Sequence, residues 1–229
     1  SFASAEDQPT FLNAVAVEAD AAVRALEALA KPVVVGVHGA VAGAGLSPWQ
    51  PYKGAEMQAA LALPRAPYAL FLGRGSRDKG VMLAMDAVAE LQTRGMGLPL
   101  VVAGQPTAET LRHYHRLPPA TREGVRLLGS VSEAHKHALL SRAAMLLLPS
   151  VVESFGIVVL EAWQHGLPVI AARAGGLPGL ITDQVDGLLV EPGSPSALAA
   201  AIATVEADPG LAARLGAAGK ACLPRHTWA

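Results

Sequence analysis

Short apolar runs alternate with longer amphipathic segments over most of the chain. Six such runs predict buried strands, and they lie at Tyr68–Leu72, Leu98–Ala103, Val125–Leu128, Met145–Leu148, Val169–Ala171 and Gly187–Val190. Segments with helical periodicity predict helices near Gly80–Arg94, Ala108–Leu117, Glu133–Arg142, Gly156–His165, Pro195–Ala207 and Gly210–Ala221. Continuous apolar strands separated by helices are typical of a parallel sheet covered on both faces. Right-handed crossovers then predict an α/β fold with a doubly wound, Rossmann-like sheet.

The beginning of the chain follows a different pattern. An Ala-rich helical stretch, Phe11–Ala30, leads into the apolar run Val33–Val37, and small residues follow over positions 39–46. Ser47–Lys53 breaks every period and predicts a linker. We therefore expect three parts, which are a helix–strand appendage at 1–47, a linker with a lead-in helix at 48–67, and the main domain at 68–229.

Composition narrows the class of protein. Hydrophobic residues make up 52% and charged residues 16% of the 229 residues, which is typical of a well-packed globular protein. The net charge of −1, with no basic stripe, argues against a nucleic-acid partner. The apolar stretches are too short for a transmembrane segment, and no signal-peptide pattern is found. A single cysteine, Cys222, fits a reducing compartment, so we expect a cytoplasmic location.

Two strand-end loops are candidates for chemistry, because ligands of such sheets bind beyond the carboxyl ends of the strands. The first loop, Gly73–Gly80, directly follows a predicted strand. Gly73 allows a ligand close to the backbone, and Arg74 and Lys79 supply the positive charge that a diphosphate needs. A solvated polar turn would explain the same residues.

The second loop lies within Pro149–Ala162, where a helix is predicted to start near Phe155 or Gly156. The free N–H groups and the dipole of a helix N-terminus favour an anion. Glu153 precedes this helix and Glu161 lies about one and a half turns into it, so the two carboxylates would address different parts of an elongated ligand. The alternatives are a helix-dipole partner or loop acceptor for Glu153, and a salt-bridged surface position for Glu161.

The segment Tyr68–Trp228 resembles the carboxyl-terminal domain of a GT-B-fold, family-4-type retaining glycosyltransferase. The resemblance covers about 70% of the chain and rests on motifs that follow the order of the family. These motifs are Phe71–Arg74, Asp78–Gly80, Leu100–Gly104, Val125–Gly129, Leu148–Ser150, Glu153–Gly156, Glu161–Ala162, Gly166–Ala171, Gly175–Gly176 and Asp186–Val190.

The resemblance implies a role for each candidate residue. Arg74 and Lys79 would neutralise the diphosphate of a nucleotide-sugar donor, and Glu153 would contact the hydroxyls of the donor sugar. Glu161 would hold the ribose hydroxyls. The remaining donor-contacting residues would be Gly73, Ser154, Phe155 and Gly156. The resemblance implies no cofactor and no bound metal, so the basic pair would do what a divalent ion does in other transferases. At Gly179 the sequence departs from the family, which often has a glutamate there.

A GT-B enzyme also has an amino-terminal domain that supplies the acceptor site, and nothing before Tyr68 resembles one. A cleft with one wall cannot orient an acceptor or exclude water, so we expect little or no transfer by this chain alone. The alternative is a non-catalytic nucleotide-binding module or an inert fusion product.

The segment Phe11–Leu46 resembles a fragment of the enoyl-CoA hydratase/isomerase (crotonase) family. The resemblance rests on the helix end Ala25–Pro32, the strand Val33–Val37 and the loop His38–Leu46. It implies that Ala44 would give one N–H group to an oxyanion hole, but the second donor and the acid/base carboxylates have no counterpart. The two resemblances, joined at a linker, predict a fused, rearranged or artificially recombined chain, with acyl-CoA binding as a weaker alternative.

Two histidine pairs and one tryptophan complete the candidates. His113 with His115 and His135 with His137 are spaced so that their rings point to different faces of a helix, so we predict no metal site. We expect Trp163 in the core.

Overall fold

Six parallel strands form the sheet of this computed structural model, which describes residues 63–64 and 67–226. The strands are β1 Ala69–Leu72, β2 Leu100–Ala103, β3 Val125–Gly129, β4 Met145–Leu148, β5 Val169–Ala172 and β6 Leu188–Val190. Every residue of β1, β2, β4 and β5 is buried, as expected for apolar strands covered on both faces. The edge strands β3 and β6 are partly exposed.

Helices connect and cover the strands. Within the described residues they are α1 Val81–Thr93, α2 Ala108–Arg116, α3 Pro119–Glu123, α4 Glu133–Arg142, α5 Ile157–Gln164, α6 Leu177–Leu180, α7 Pro195–Ala207 and α8 Pro209–Cys222. Short 3-10 turns lie at Arg77–Lys79 and Leu223–Arg225. Four of the helices begin with a side chain that accepts a backbone N–H bond, and these caps are Thr107, Ser132, Ser194 and Asp208.

The order of the strands places a crevice at the centre of the sheet. The order is β3-β2-β1-β4-β5-β6, so β1 pairs with β2 on one side and with β4 on the other. The chain runs outward from β1 to β3 and then returns to β4, from where it runs outward in the opposite direction. The loops that leave β1 and β4 therefore diverge at the switch point, where doubly wound sheets bind ligands.

The core lies against both faces of the sheet. Ala69 and Phe71 of β1 pack in one cluster with Val88 of α1 and Ile202 of α7. Since alternate side chains of a strand face opposite sides, the other β1 side chains point to the opposite layer. Trp163 of α5 is fully buried, and its Nε1 donates to the carbonyl oxygen of Asp186 at 3.1 Å, which confirms its prediction as a core residue.

These observations confirm the predicted doubly wound parallel sheet. Each strand is present with ends within two residues of the prediction. The pattern did not predict α3 and α6, because helices of five and four residues are too short to show a period and both carry proline in the first turn. The predicted appendage at 1–47 and the linker Ser47–Lys53 lie outside the described residues.

Candidate functional site

The loop after β1 forms one wall of the crevice. It runs from Gly73 to Gly80, and the N–H groups of Gly73 and Gly75 donate to the carbonyl oxygens of Ala103 and Gln105, each at 3.0 Å. A Cβ atom added to Gly73 would meet no atom within 4 Å in the described part of the chain. The loop is thus fixed to the end of β2 while the backbone at Gly73 borders open space, into which a ligand could approach.

Arg74 lies on the exposed side of this loop. Its Nη2 donates to Oδ2 of Asp78 at 2.9 Å, and its Nε donates to Oγ of Ser76 at 3.1 Å. A hydrogen bond from Ser76 lowers the pKa of Asp78, and Arg74 lowers it further against the opposing effect of burial. Asp78 is therefore ionised near neutral pH and orients the guanidinium along the loop.

Lys79 and Glu153 join the two loops at the switch point. The Nζ atom of Lys79 lies 2.9 Å from Oε2 of Glu153, and it also donates to the carbonyl oxygen of Val152 at 3.4 Å. The side chains are 26% and 15% exposed, so the pair is only partly screened by water. The ion pair places one cation and one carboxylate side by side between β1 and β4.

The backbones of the two loops also touch directly. The N–H of Val151 donates to the carbonyl oxygen of Asp78 at 3.0 Å. Gly80 has a φ of 76°, and a Cβ atom there would lie 2.2 Å from the carbonyl oxygen of Pro149. Only glycine fits this approach, because any side chain would push the loops apart.

A glycine pair fixes Glu153 from the other side. The N–H of Gly176 donates to the carbonyl oxygen of Glu153 at 2.8 Å. Gly175 has a φ of 56°, and a Cβ atom there would lie 2.0 Å from the same oxygen. The backbone of Glu153 is thus held between the β1 loop and the loop before α6, which limits the positions that its carboxylate can reach.

The helix α5 begins at the same place. Gly156 precedes its first residue, and the N–H of Gly156 donates to Oε1 of Glu153 at 3.3 Å. Ser154 is exposed and Phe155 is half-buried. The carboxylate of Glu153 therefore lies where the partial positive charge of the helix N-terminus attracts anions.

Glu161 pairs with a residue that the sequence did not indicate. Its Oε1 lies 2.5 Å from Nζ of Lys136 on α4, which also contacts Oε2 of Glu133 at 2.6 Å. Burial by itself would lower the pKa of Lys136, but hydrogen bonds and charge interactions with Glu133 and Glu161 outweigh it and raise that pKa. Lys136 is therefore a cation across the physiological range.

The structure thus pairs two of the predicted residues with each other and gives others different partners. Lys79 and Glu153 are in direct contact, whereas Arg74 is bonded within its own loop and Glu161 pairs with α4. Glu153 contacts a helix N-terminus and Glu161 forms a salt bridge, so the contacts that the alternative interpretations predicted for these two residues are also present. Sequence spacing relates Lys136 only to Glu133, three residues earlier, and gives no signal for a partner 25 residues away.

The histidines make separate contacts. Nε2 of His113 lies 2.7 Å from Oδ1 of Asp86, and Nδ1 of His137 lies 3.1 Å from Nε2 of His165. Burial lowers the pKa of His165 to about 4, helped by the charges of His137 and Lys220. Within residues 63–64 and 67–226 no three potential ligands cluster in a way that could hold a metal ion, and the prediction of a metal-free site stays a prediction.

The arrangement suits a ligand with both anionic and hydroxyl groups. Cations and a helix N-terminus stabilise negative charge, and the two carboxylates accept hydrogen bonds from hydroxyls. Fold and site together define a Rossmann-like α/β domain whose switch point carries the candidate ligand site.

Comparison with known proteins gives the family. A model of the Glycosyl transferases group 1 family matches residues 54–221, and the chain belongs to this family. It is 34% identical over 191 residues to a D-inositol 3-phosphate glycosyltransferase of Segniliparus rotundus, covering 81% of this chain and 42% of the relative. It is 32% identical over 165 residues to an alpha-D-kanosaminyltransferase of Streptomyces kanamyceticus, covering 70% of this chain and 42% of the relative. The chain thus spans less than half the length of these relatives.

Solved structures share the fold. Sucrose-phosphate synthase from Thermosynechococcus elongatus superposes with a TM-score of 0.66 at 32% identity, over 75% of this chain and 44% of that protein. The C-terminal domain of a group 1 glycosyl transferase from Francisella tularensis gives 0.66 at 21% identity, over 79% of this chain and 96% of that domain. Anabaena HepE in complex with UDP-glucose gives 0.68 at 24% identity, over 78% of this chain and 50% of that protein. The last two comparisons bear on the fold alone.

The predicted glycosyltransferase resemblance and its GT-B-type fold are therefore confirmed. The comparisons lend no support to the crotonase-like resemblance of Phe11–Leu46, which lies outside the described residues and outside the matched range. No helix in the described residues has the length and apolar character needed to cross a membrane. Location in the cytoplasm stays a prediction.

Proposed function

We propose that this domain binds a nucleotide-diphosphate sugar and serves retaining glycosyl transfer. The observation that carries the proposal is the ion pair of Lys79 and Glu153, 2.9 Å apart at the switch point and next to the N-terminus of α5. A diphosphate needs the cation and the helix N-terminus, and a sugar needs the carboxylate. All three lie within one crevice of a group 1 glycosyl transferase domain.

In this proposal the leaving group is the nucleotide diphosphate. The bond between its phosphate oxygen and the anomeric carbon breaks, and the departing oxygen keeps the electron pair. The acceptor oxygen bonds to that carbon on the same face, and the proton of the acceptor hydroxyl passes to the departing phosphate oxygen. Negative charge builds on the phosphate, so Arg74 and Lys79 accelerate the step by stabilising that charge. Their positive charge takes the place of a divalent ion, and no cofactor is required.

The other contacts position the donor. Glu153 accepts hydrogen bonds from sugar hydroxyls, and the backbone amides of Phe155 and Gly156 approach sugar or phosphate. Ser154 and Gly73 border the same space. Glu161 accepts hydrogen bonds from the ribose hydroxyls, which gives a role to the second carboxylate, farther along α5.

Donor binding and transfer are separate properties here. We propose that the described domain binds the donor but transfers little sugar by itself, because a cleft with one wall cannot orient an acceptor or exclude water. An acceptor wall would come from a further GT-B domain. The experiment that follows identifies the base of the nucleotide.

A thermal-shift panel with UDP, GDP, ADP and acetyl-CoA tests the proposal. One nucleoside diphosphate at about 100 times its dissociation constant should stabilise the folded domain by about 2.7 kcal/mol. Arg74→Ala and Glu161→Ala should both weaken this binding. Arg94→Ala is a matched control, because that guanidinium lies 58% exposed in a surface pair with Glu90.

The panel also separates the alternatives. Nucleotide binding with no added affinity for the corresponding nucleotide-sugar would favour a non-catalytic nucleotide-binding module, because a donor domain also holds the sugar. A shift with acetyl-CoA alone would favour the acyl-CoA reading of the first residues. Unchanged nucleotide affinity in both site variants would contradict the proposal, and a folded protein that no ligand stabilises would leave an inert fusion product.

A further inference from the structure

The contact between Lys136 and Glu161 joins two helices at the deeper end of the site. The atoms Nζ and Oε1 are 2.5 Å apart, and the side chains are 15% and 14% exposed. Lys136 comes from α4, which contributes no residue to the predicted site. A charge pair with so little access to water is stronger and better ordered than one on the open surface.

The contact uses only one oxygen of the carboxylate. Lys136 holds Oε1 of Glu161, while Oε2 has no hydrogen-bond partner among residues 63–64 and 67–226. An ionised carboxylate accepts hydrogen bonds at both oxygens. One oxygen is thus fixed in place while the other can still accept from a ligand.

Resting on the proposed function, we propose that Lys136 is a positioning residue for recognition of the ribose. By holding Oε1, it fixes the torsions of the Glu161 side chain and presents Oε2 to the ribose hydroxyls. A free glutamate would lose its rotamer freedom on binding the ligand, whereas here that loss occurs on folding. Lys136 therefore acts through Glu161 and does not itself contact the nucleotide.

The same two helices offer a control. His137 follows Lys136 directly, and it contacts His165, which lies one helical turn beyond Glu161, at 3.1 Å. This contact also joins α4 to the residue that follows α5, but it does not touch the carboxylate. A variant at His137 disturbs the contact between the helices and leaves the Lys136–Glu161 pair in place.

The test compares a ribonucleotide with its analogue that lacks both ribose hydroxyls. Isothermal titration of the full chain uses whichever of UDP, GDP and ADP it binds, and the 2′,3′-dideoxy form of that nucleotide. Lys136→Met should weaken ribonucleotide binding about tenfold, equivalent to about 1.4 kcal/mol, and change dideoxynucleotide binding less than about twofold. Lys136→Arg keeps the positive charge and should recover most of the affinity.

His137→Phe should affect both nucleotides equally or neither of them. An equal loss for both nucleotides in Lys136→Met, or tighter ribonucleotide binding, would overturn the positioning role and leave the proposed function intact. If the folded wild-type chain binds none of the three nucleotides, the proposed function and this inference both fail.

Discussion

Two lysine–glutamate pairs stand at the two ends of the site, and they differ in what surrounds them. Lys79 and Glu153 lie on loops whose backbones touch each other, with glycine required at Gly80 for the approach. Lys136 and Glu161 lie on the surfaces of two helices and meet only through side chains. The first pair is therefore positioned by backbone contacts between two loops, and the second pair is positioned by the packing of one helix beside another.

This difference explains which parts the sequence could predict. Strands β1 and β4 are apolar runs, and in a parallel sheet the loops after them must emerge at the same edge. Lys79 and Glu153 could therefore be assigned to one crevice. Lys136 lies in a polar helix, and the same sequence pattern is expected for a helix face in water. The sequence therefore could not predict its contact with Glu161, which depends on how the two helices are arranged.

The largest effect is expected from separating the loops at the first pair. Gly80→Ala adds a Cβ atom 2.2 Å from the carbonyl oxygen of Pro149 at a φ of 76°. Left-handed strain and overpacking together should lower the free energy of unfolding by about 3 kcal/mol, measured by urea denaturation. Gly193→Ala has a similar φ of 74°, but in the described part of the chain no atom lies within 4 Å of its added Cβ, and it should cost about 1 kcal/mol. Equal costs for the two variants would show that the loops do not depend on this contact.

A second experiment divides the roles within the first pair. In the proposed site Lys79→Met would remove a charged hydrogen bond to the diphosphate, and it should weaken binding of the nucleoside diphosphate by about 10- to 100-fold. Glu153→Gln should leave that affinity within about threefold, while removing most of the additional affinity that the sugar gives to the nucleotide-sugar. Titration calorimetry with the nucleotide and the nucleotide-sugar measures both. If the two variants lose nucleotide affinity alike, the assignment of phosphate and sugar within the pair is wrong.

The second pair has a pH-sensitive neighbour. Burial and the charges of His137 and Lys220 lower the pKa of His165 from 6.5 to about 4. Between these values the unfolded chain binds a proton that the folded chain does not, so stability should fall as the pH falls from 6.5 to 4. Because the His165 side chain is partly exposed, we expect the free energy of unfolding to fall by about 1 kcal/mol. Urea denaturation at pH 7 and pH 5 should show a smaller fall in His165→Asn than in the wild type, and equal falls would contradict the lowered pKa.

The smallest effect concerns the departure from the family at Gly179. This residue lies exposed in α6, and a Cβ atom there would meet no atom of the described residues within 4 Å. Gly179→Ala and Gly179→Glu should each raise the free energy of unfolding by about 0.5 kcal/mol, because glycine is a poor helix former. Destabilisation by both would mean that the turn after the Gly175–Gly176 pair needs glycine for another reason.

The sequence predicted the fold more completely than it predicted the contacts within the site. The parallel sheet and its six strands followed from apolar runs, and the candidate residues followed from strand ends and from family motifs. Two contacts did not follow from the sequence, and these are the packing of Gly175 against the backbone of Glu153 and the bonding of Arg74 to Asp78. Both depend on where a loop turns in three dimensions, and no local pattern of residue types encodes that.

The most direct test of the central claim is to locate the bound nucleotide by NMR. Amide resonances of the 15N-labelled chain are followed while the nucleoside diphosphate that it binds is added. We predict saturable shifts concentrated at Gly73–Lys79 and Ser154–Ile157, with the amides of α7 and α8 unchanged. Saturable shifts that leave both loops unaffected would show that the nucleotide binds elsewhere, and would contradict the assignment of the switch-point crevice as the donor site.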